Sequence, residues 1–544
     1  MGDNAKVQLS GDTSAPGRPG DTSAPGRPGD TVVAVGVPAW AGVLVGVVSM
    51  AAGLVVTELV AGVLSTDTSP VVEVGNRVVD LVPKPLRDWA ISTFGTSDKA
   101  VLLAGVAVVL IAVSTAVGTL ALRGRLAAAV AVLAAVVLLG GLSSLGRGGA
   151  GPIGLLATVL GGALSGLVLW RLADAARAGW VSGGNRSELS TSRRRFFVAA
   201  GATAGVTLVG GGVAAWIRSN AAVAAERLGI TLPGPVRPLP PPPAGVSVGL
   251  DGVSPFFTPN ADFYRIDTAL VVPKVSVEDW QLRVHGLVER ELTIDYETLL
   301  ERPMVEVDAT IACVSNYVGG DLIGNARWLG CRLDDLLHEA GIEPLADQIV
   351  GRSVDGFTAG FPTATLDGRD AVVAVGMNGE PLPTRHGYPA RLIVPGLFGY
   401  VSATKWLSEI ELTRFEDFEG YWIPRGWDRE APVTTSSRFD TPTDGARVRA
   451  GELLGVGGVA WAMLRGIEAV EVRVDEGRWE RAELGEAYSG TTWRQWRHEV
   501  RLDAGRHSLE VRATDTEGET QTGERVLPGP GASSGWHTIS VTAT

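Results

Sequence analysis

The sequence predicts a multi-domain chain with three architectures in series: an N-terminal α-helical membrane bundle of about five spans, an α+β domain, and a C-terminal antiparallel β-sandwich. Three observations predict it. Before about residue 220, Ala, Val, Leu and Gly run for about twenty residues at a time with hardly a charge. Beyond about residue 245, charges, Trp and turn residues are distributed as in an ordinary globular protein. From about residue 431, strand-like runs recur at turn-separated spacing with no convincing helix. The length of 544 residues also exceeds what one core can hold. A formal net charge of -12 argues against nucleic acid as a partner, because neutralising phosphates requires a basic surface.

Residues 1–34 carry the nonapeptide GDTSAPGRP twice, from Gly11 and from Gly20, and read as a disordered cytoplasmic tail. The transmembrane region is residues 35–217. A helix needs ~20 apolar residues to cross ~30 Å of hydrocarbon, and five segments qualify: Val35 to Leu64, Ala100 to Leu122, Leu126 to Leu145, Ile153 to Trp170 and Phe196 to Ile217. Arginine collects in two of the short loops, at Arg123 and Arg125 and at Arg171, Arg177, Arg186, Arg193, Arg194 and Arg195. Translocating such loops is disfavoured, so both are expected in the cytoplasm and everything after Ile217 outside it. The run Ser192-Arg193-Arg194-Arg195-Phe196-Phe197 either fixes this topology alone or, as it resembles a twin-arginine export signal, also directs export of an already folded domain.

Residues 218–245 form a Pro-rich linker, including Pro240 to Pro243, expected to be a stiff spacer between membrane and domain. In residues 246–430, β-type runs such as Trp280 to Gly286 and Ala390 to Gly396 mix with helical ones such as Leu333 to Ala340, which makes the domain α+β. In residues 431–544, the runs Val448–Gly458, Val470–Val474, His498–Leu502, His507–Ala513 and Thr538–Val541 suggest a sandwich of immunoglobulin-like type.

The chain has two cysteines, Cys313 and Cys331, so it is no disulfide scaffold. Cys313 ends the apolar run Ala309-Thr-Ile-Ala-Cys and opens a glycine-containing loop, a position suited to presenting a thiolate. Cys331 reads as a buried core thiol.

Around these residues the sequence resembles the sulfite oxidase family of molybdopterin enzymes, from about Val253 to the C-terminus. The resemblance is carried by Thr258-Pro-Asn-Ala-Asp-Phe-Tyr-Arg265, by Asp279 to Gly286, and by Cys313 followed by Gly324 to Leu337. Met377-Asn-Gly-Glu-Pro-Leu-Pro, His386-Gly-Tyr-Pro-Ala-Arg391 to Gly396 and Thr404-Lys405-Trp406 continue it in order. It implies a molybdenum-molybdopterin cofactor with Cys313 as the protein's metal ligand. It also implies a cofactor-binding set of Tyr264, Arg265, Cys313, Asp355, His386, Arg391, Ala403, Thr404 and Lys405. The groups implied at the reacting centre are Cys313, Arg265 and Tyr317. The implied reaction is two-electron oxygen-atom transfer. The C-terminal domain resembles the family's dimerisation domain, which implies a homodimer.

Two departures bear on substrate. Sulfite oxidases follow the cysteine with Ala-Gly-Asn-Arg-Arg, whereas Tyr317 and Val318 stand at the position of that cation pair. Tyr264-Arg-Ile-Asp267 likewise stands where those enzymes have Arg-Asn-His. Losing these cations weakens binding of an oxyanion, so the substrate is sulfite or another small oxyanion, or a neutral sulfoxide of the methionine sulfoxide type. A third reading is a membrane-tethered adhesion protein that lost the cofactor. None of the five apolar segments contains histidine, so no haem is expected in this chain. Electrons are then exchanged with a separate partner, cytochrome or quinone-linked.

Overall fold

The computed structural model describes residues 37–64, 69–83, 98–145, 151–180, 186–217 and 221–544, together with residues 86, 89, 93 and 94. The expected N-terminal tail lies outside the described residues. The first part is helical: α1 (Ala39–Leu64), α2 (Pro70–Leu81), α3 (Asp98–Leu122), α4 (Leu126–Ser143), α5 (Gly151–Trp180), α6 (Arg186–Ile217) and the short α7 (Ala221–Gly229). Five of them, all but α2 and α7, contain spans long and apolar enough to cross a membrane.

Helix α1 is central because its glycines let neighbouring backbones approach. Gly46 lies against Ser114 and Gly118 of α3, and Gly53 against Gly161 and Ser165 of α5. Arg177, near the end of α5, donates to the carbonyl of Ala121 at the end of α3, so the two arginine-rich loops share one end of the bundle. In α6, Arg193 donates to Gly179 O at 3.1 Å, and the Phe196 ring, fully buried, packs edge-on to Trp180 at 5.4 Å.

The middle domain has two five-stranded sheets. One has the order β2 (Leu292–Asp295), β1 (Gln281–Gly286), β10 (Leu407–Thr413), β5 (Gln348–Ser353), β6 (Thr358–Pro362), in which only β1 and β10 run parallel. The other joins β3 (Met304–Ala312), β4 (Ile323–Arg332), β7 (Val372–Met377) and β8 (Glu380–Pro381), with β9 (Arg391–Ile393) also on β7. The side chains of β7 are all buried, as a strand covered on both faces requires. Between β7 and the sheet led by β1 lies the main core, with Leu282, Ile410 and Trp406.

The C-terminal residues form two facing antiparallel-rich sheets. One is ordered β11 (Ser436–Thr441), β13 (Leu453–Trp461), β17 (Arg494–Arg501), β16 (Glu483–Leu484). The second is ordered β12 (Ala446–Val448), β19 (His537–Ala543), β18 (Gly505–Asp515), β14 (Ile467–Val474), β15 (Glu480–Arg481). Trp496, Val456, Leu509 and Val541 close the core between them. The run expected as one strand from Val448 to Gly458 is two, divided by a turn in which Gly451 takes φ 74°.

The linker is not the free spacer expected. Val236 N donates to Met304 O at 2.8 Å and Leu239 N to Glu306 at 2.7 Å, so residues 233–243 run as a strap along the edge of β3. Proline-rich backbone has few donors of its own, and this edge takes up those of Val236 and Leu239. Helix α7 is packed too: Glu226 accepts from Ser276 Oγ at 2.6 Å and from Tyr388 OH at 2.6 Å. The packed unit therefore starts at residue 221 rather than near Val246.

Candidate active site

Strand β3 delivers Cys313 and the following loop turns back at once. Cys313 N donates to Leu322 O at 2.9 Å, and Asn316 accepts from Leu322 N at 3.0 Å through its side chain. Gly319, at φ 80°, lies directly on the His537 ring, where any Cβ would clash. The C-terminal sandwich grips the loop as well: Arg438 donates to Gly320 O at 2.7 Å and Ser533 Oγ to Asn316 O at 2.6 Å. An apolar cluster of Ala312, Val314, Val459, Trp461 and Trp493 fuses the two domains beside Cys313. The loop is thus held from both sides, which fixes the thiol direction.

Cys313, Tyr264, Asp355, His386, Arg391, Ala403 and Lys405 line one cavity. Of the other residues singled out in the sequence, Thr404 is fully buried just behind it, with its hydroxyl turned to Gly351 O at 3.5 Å. Arg265 and Tyr317 do not line it. Arg265 donates to Asp267 at 2.8 Å with its side chain 37% exposed, and Tyr317 is 53% exposed. In Tyr317 the reason is the loop itself, which folds inward at Asn316 and turns the next residue out. Asp355 is engaged in its own turn, accepting from Phe357 N at 3.1 Å and from Thr268 Oγ1 at 3.3 Å.

Arg391 is the side chain that most needs an absent partner. It is 4% exposed, donates through Nη1 to His386 O at 3.0 Å and lies over Trp328, yet its buried Nε has no hydrogen-bond partner among the described residues. Burying a charged donor unsatisfied is costly, so the site is built for an acceptor group. Burial pulls the guanidinium down to about 10, which still leaves it charged at neutral pH. Burial pulls the Lys405 ammonium down too, opposed by Asp267 2.8 Å away. Burial pushes the Cys313 thiol up, against hydrogen bonds from Ser315 and the charge of Lys405. Burial and then Cys313 push the Tyr264 hydroxyl far up, so it remains a donor.

His386 is 1% exposed and is pulled down to about 3 by burial, then by Arg391, Lys405 and Arg385. It is neutral in the folded protein, and its Nε2 donates to Asn260 O at 3.1 Å. An unfolded histidine takes its proton near pH 6.5. Between that pH and about 3 the unfolded state therefore binds the extra proton, and stability falls as pH falls. From this group alone the loss between pH 7 and pH 5 is about 2 kcal/mol. Urea denaturation at the two pH values is expected to show it, and His386→Gln to flatten the slope by that amount; an unchanged slope would mean that His386 takes its proton at the same pH folded and unfolded.

The sequence reasoning missed the wall beside the cysteine. Phe357, Tyr400, Trp422 and Trp427 also line the cavity, with ring centroids 5.7 Å apart for Tyr400 and Trp427 and 6.0 Å for Trp422 and Trp427. It also missed Asp267, whose carboxylate binds Lys405, Arg265 and Lys99. Cys331 pairs with Met304 at the far end of the β3–β4 ladder, while Ala312 pairs with Ile323 at the near end. Nine steps along the strand, roughly 30 Å, separate the two cysteines, and both are free.

The domain family described as "Oxidoreductase molybdopterin binding domain" matches residues 269–422, the stretch that carries His386, Arg391, Lys405 and Cys313. The chain is 34% identical over 292 residues to mitochondrial sulfite oxidase of Drosophila melanogaster, covering 44% of this chain and 50% of that protein. It is 30% identical over 160 residues to the uncharacterised oxidoreductase YuiH of Bacillus subtilis, covering 29% of this chain and 78% of that protein. The chain belongs to the sulfite oxidase family of molybdopterin oxidoreductases. It is an oxidoreductase, and the adhesion reading falls away. The chain spans about half the length of the mitochondrial sulfite oxidases it matches. Among solved structures, the sulfane dehydrogenase SoxCD of Paracoccus pantotrophus aligns at 23% identity and a TM-score of 0.48, over 53% of this chain and 82% of that one. Membership in the sulfite oxidase family implies the molybdenum cofactor, and the orphaned Nε of Arg391 on the same cavity as Cys313 is the observation that fits it.

Proposed function

We propose that this chain is a membrane-anchored molybdenum-cofactor oxidoreductase that performs two-electron oxygen-atom transfer on a small substrate outside the cytoplasm. The observation that carries the reading is the pairing of a buried, loop-locked Cys313 with a buried Arg391 whose Nε has no acceptor among the described residues, on one cavity. Cys313 would hold the metal as a thiolate, since a thiol that coordinates a metal releases its proton to solvent despite burial. Arg391, Lys405, neutral His386 and the backbone at Ala403 and Thr404 would hold the phosphate and polar edge of the pterin. Tyr264 would donate a hydrogen bond, with Arg265 and Asp355 supporting the loops on either side. When bound, the cofactor supplies a metal that accepts or gives two electrons as oxygen moves.

The placement outside the cytoplasm is supported by two contacts at opposite ends of α3. Ala121, at its C-terminal end, touches the arginine-rich side through Arg177, whereas Lys99, at its N-terminal end, touches the soluble domain. Export through the arginine motif at residues 192–197 would let the cofactor be loaded first. The C-terminal sandwich, read as immunoglobulin-like, would serve a homodimer, and electrons would pass to a separate cytochrome or quinone-linked partner.

The oxidation of sulfite is the first reading of substrate. Reduction of a neutral sulfoxide is the second, and the aromatic wall favours it: among the described residues lining the cavity the cations are Arg391 and Lys405, the latter already paired. A dye-linked assay of the detergent-purified chain with sulfite and with methionine sulfoxide decides. Turnover of either is expected, and turnover of neither would reject both.

A further inference from the structure

The bundle reaches the cavity through one lysine. Lys99 stands in the first turn of α3, where a cation opposes the helix dipole and, on the reading above, faces the side where lysine is disfavoured. Topology therefore does not account for it. Its ammonium donates to Asp267 Oδ1 at 2.7 Å and to the carbonyls of Asp267 and Ala269 at 2.8 and 2.7 Å. The other carboxylate oxygen of Asp267 accepts from Lys405 at 2.8 Å and from Arg265 at 2.8 Å. The Asp267 side chain is 3% exposed and lines the cavity. Although burial pushes its carboxyl up, Lys405, Lys99 and Arg265 hold it well below the carboxylate range. A second contact joins the same two parts: Gly75 of α2 lies so close to Leu270 that an added Cβ would stand 2.7 Å from it.

We propose that Lys99 is a positioning residue for the cofactor, so that the membrane bundle braces the cavity wall from behind, through Asp267, as well as tethering the domain. Lys99 pins residues 267–269 at two carbonyls and a carboxylate. That carboxylate in turn sets the position of Lys405, and the pinned segment continues directly into Tyr264. A buried carboxylate shared by three cations keeps its geometry only while the cations stay. Without Lys99, Asp267 is free to swing toward Arg265 and solvent, and Lys405 loses the partner that aims it. The inference rests on the reading that this cavity holds molybdopterin.

The test uses the full chain, purified in detergent from a host that makes the cofactor. Molybdenum per chain and the rate of its loss on dilution are measured for wild type, Lys99→Met, Lys99→Gln and Lys99→Arg. Lys99→Met is expected to lose molybdenum about tenfold faster than wild type, Lys99→Gln to fall between them, and Lys99→Arg to retain it nearly as well, because a guanidinium reaches the same acceptors. Rescue by arginine separates positioning from mere space filling. If Lys99→Met does not accumulate, Lys99→Gln decides on the same measurement. Molybdenum retained equally in wild type and in the neutral variants would overturn the inference and leave the cofactor reading standing. A wild-type chain without molybdenum would remove that reading itself.

Discussion

Cys313→Ser is expected to purify folded, without molybdenum and without oxygen-atom transfer, a loss of at least about 100-fold, beyond what removing an outer-shell partner of a metal usually costs. The exchange of sulfur for oxygen is nearly isosteric. It leaves the loop hydrogen bonds of Cys313 N to Leu322 O and Asn316 N to Cys313 O in place, so folding is expected to survive. What changes is the donor: a thiol readily gives up its proton on binding a metal and its thiolate is soft, whereas a serine hydroxyl offers neither property. Cys331→Ser is the contrast, since that thiol is 2% exposed in the core and pushed up to about 12 by burial. It is expected to keep its molybdenum while losing some stability from a buried hydroxyl. Metal analysis of the two purified variants separates the roles, and full molybdenum in Cys313→Ser would end the assignment of Cys313 as ligand.

How far the sequence could carry this follows from the range of the interactions. The five apolar helices were readable because their signal is local: about twenty residues without charge can be little else. Helix α2 was not, because Pro70–Leu81 is short, carries Glu73, Arg77 and Asp80 and is recognisable only by the side it packs. The strap at residues 233–243 was legible as extended, but its docking depends on Glu306 and Arg327, far along the chain. Cys313, His386, Arg391 and Lys405 were legible through ordered motifs, and the fold gathers them. Asp267 was not, since its meaning comes from Lys99 168 positions earlier and Lys405 138 positions later. The division between β12 and β13 lay in a single left-handed glycine, Gly451, which a hydrophobic run from Val448 conceals.

Asp308→Ala is the change expected to weaken the chain most without touching the cavity. Asp308 lies on β3 directly opposite Arg327 on β4 and is 4% exposed. Its two oxygens accept from Arg327 Nε at 2.8 Å and Nη2 at 2.7 Å, a bidentate pair, and from Tyr488 OH at 2.7 Å. Arg327 also donates to Leu239 O at 3.2 Å and Pro240 O at 2.9 Å, so one carboxylate ties together the sheet, the strap and the C-terminal sandwich. Removing Asp308 leaves Tyr488 OH without its acceptor and takes two charge-assisted bonds from Arg327, which stays partly solvated and keeps Leu239 O and Pro240 O, so the cost is expected at about 1–3 kcal/mol. Asn in its place keeps one acceptor and is expected to cost less. With several domains the unfolding is not two-state, so the measurement is the midpoint of the first urea transition, together with proteolysis of the strap. Asp308→Ala is expected to lower that midpoint and to open residues 233–243 to cleavage in native buffer. A first transition at the wild-type midpoint, with the strap still protected from cleavage, would show that Tyr488 and the strap are held by other contacts.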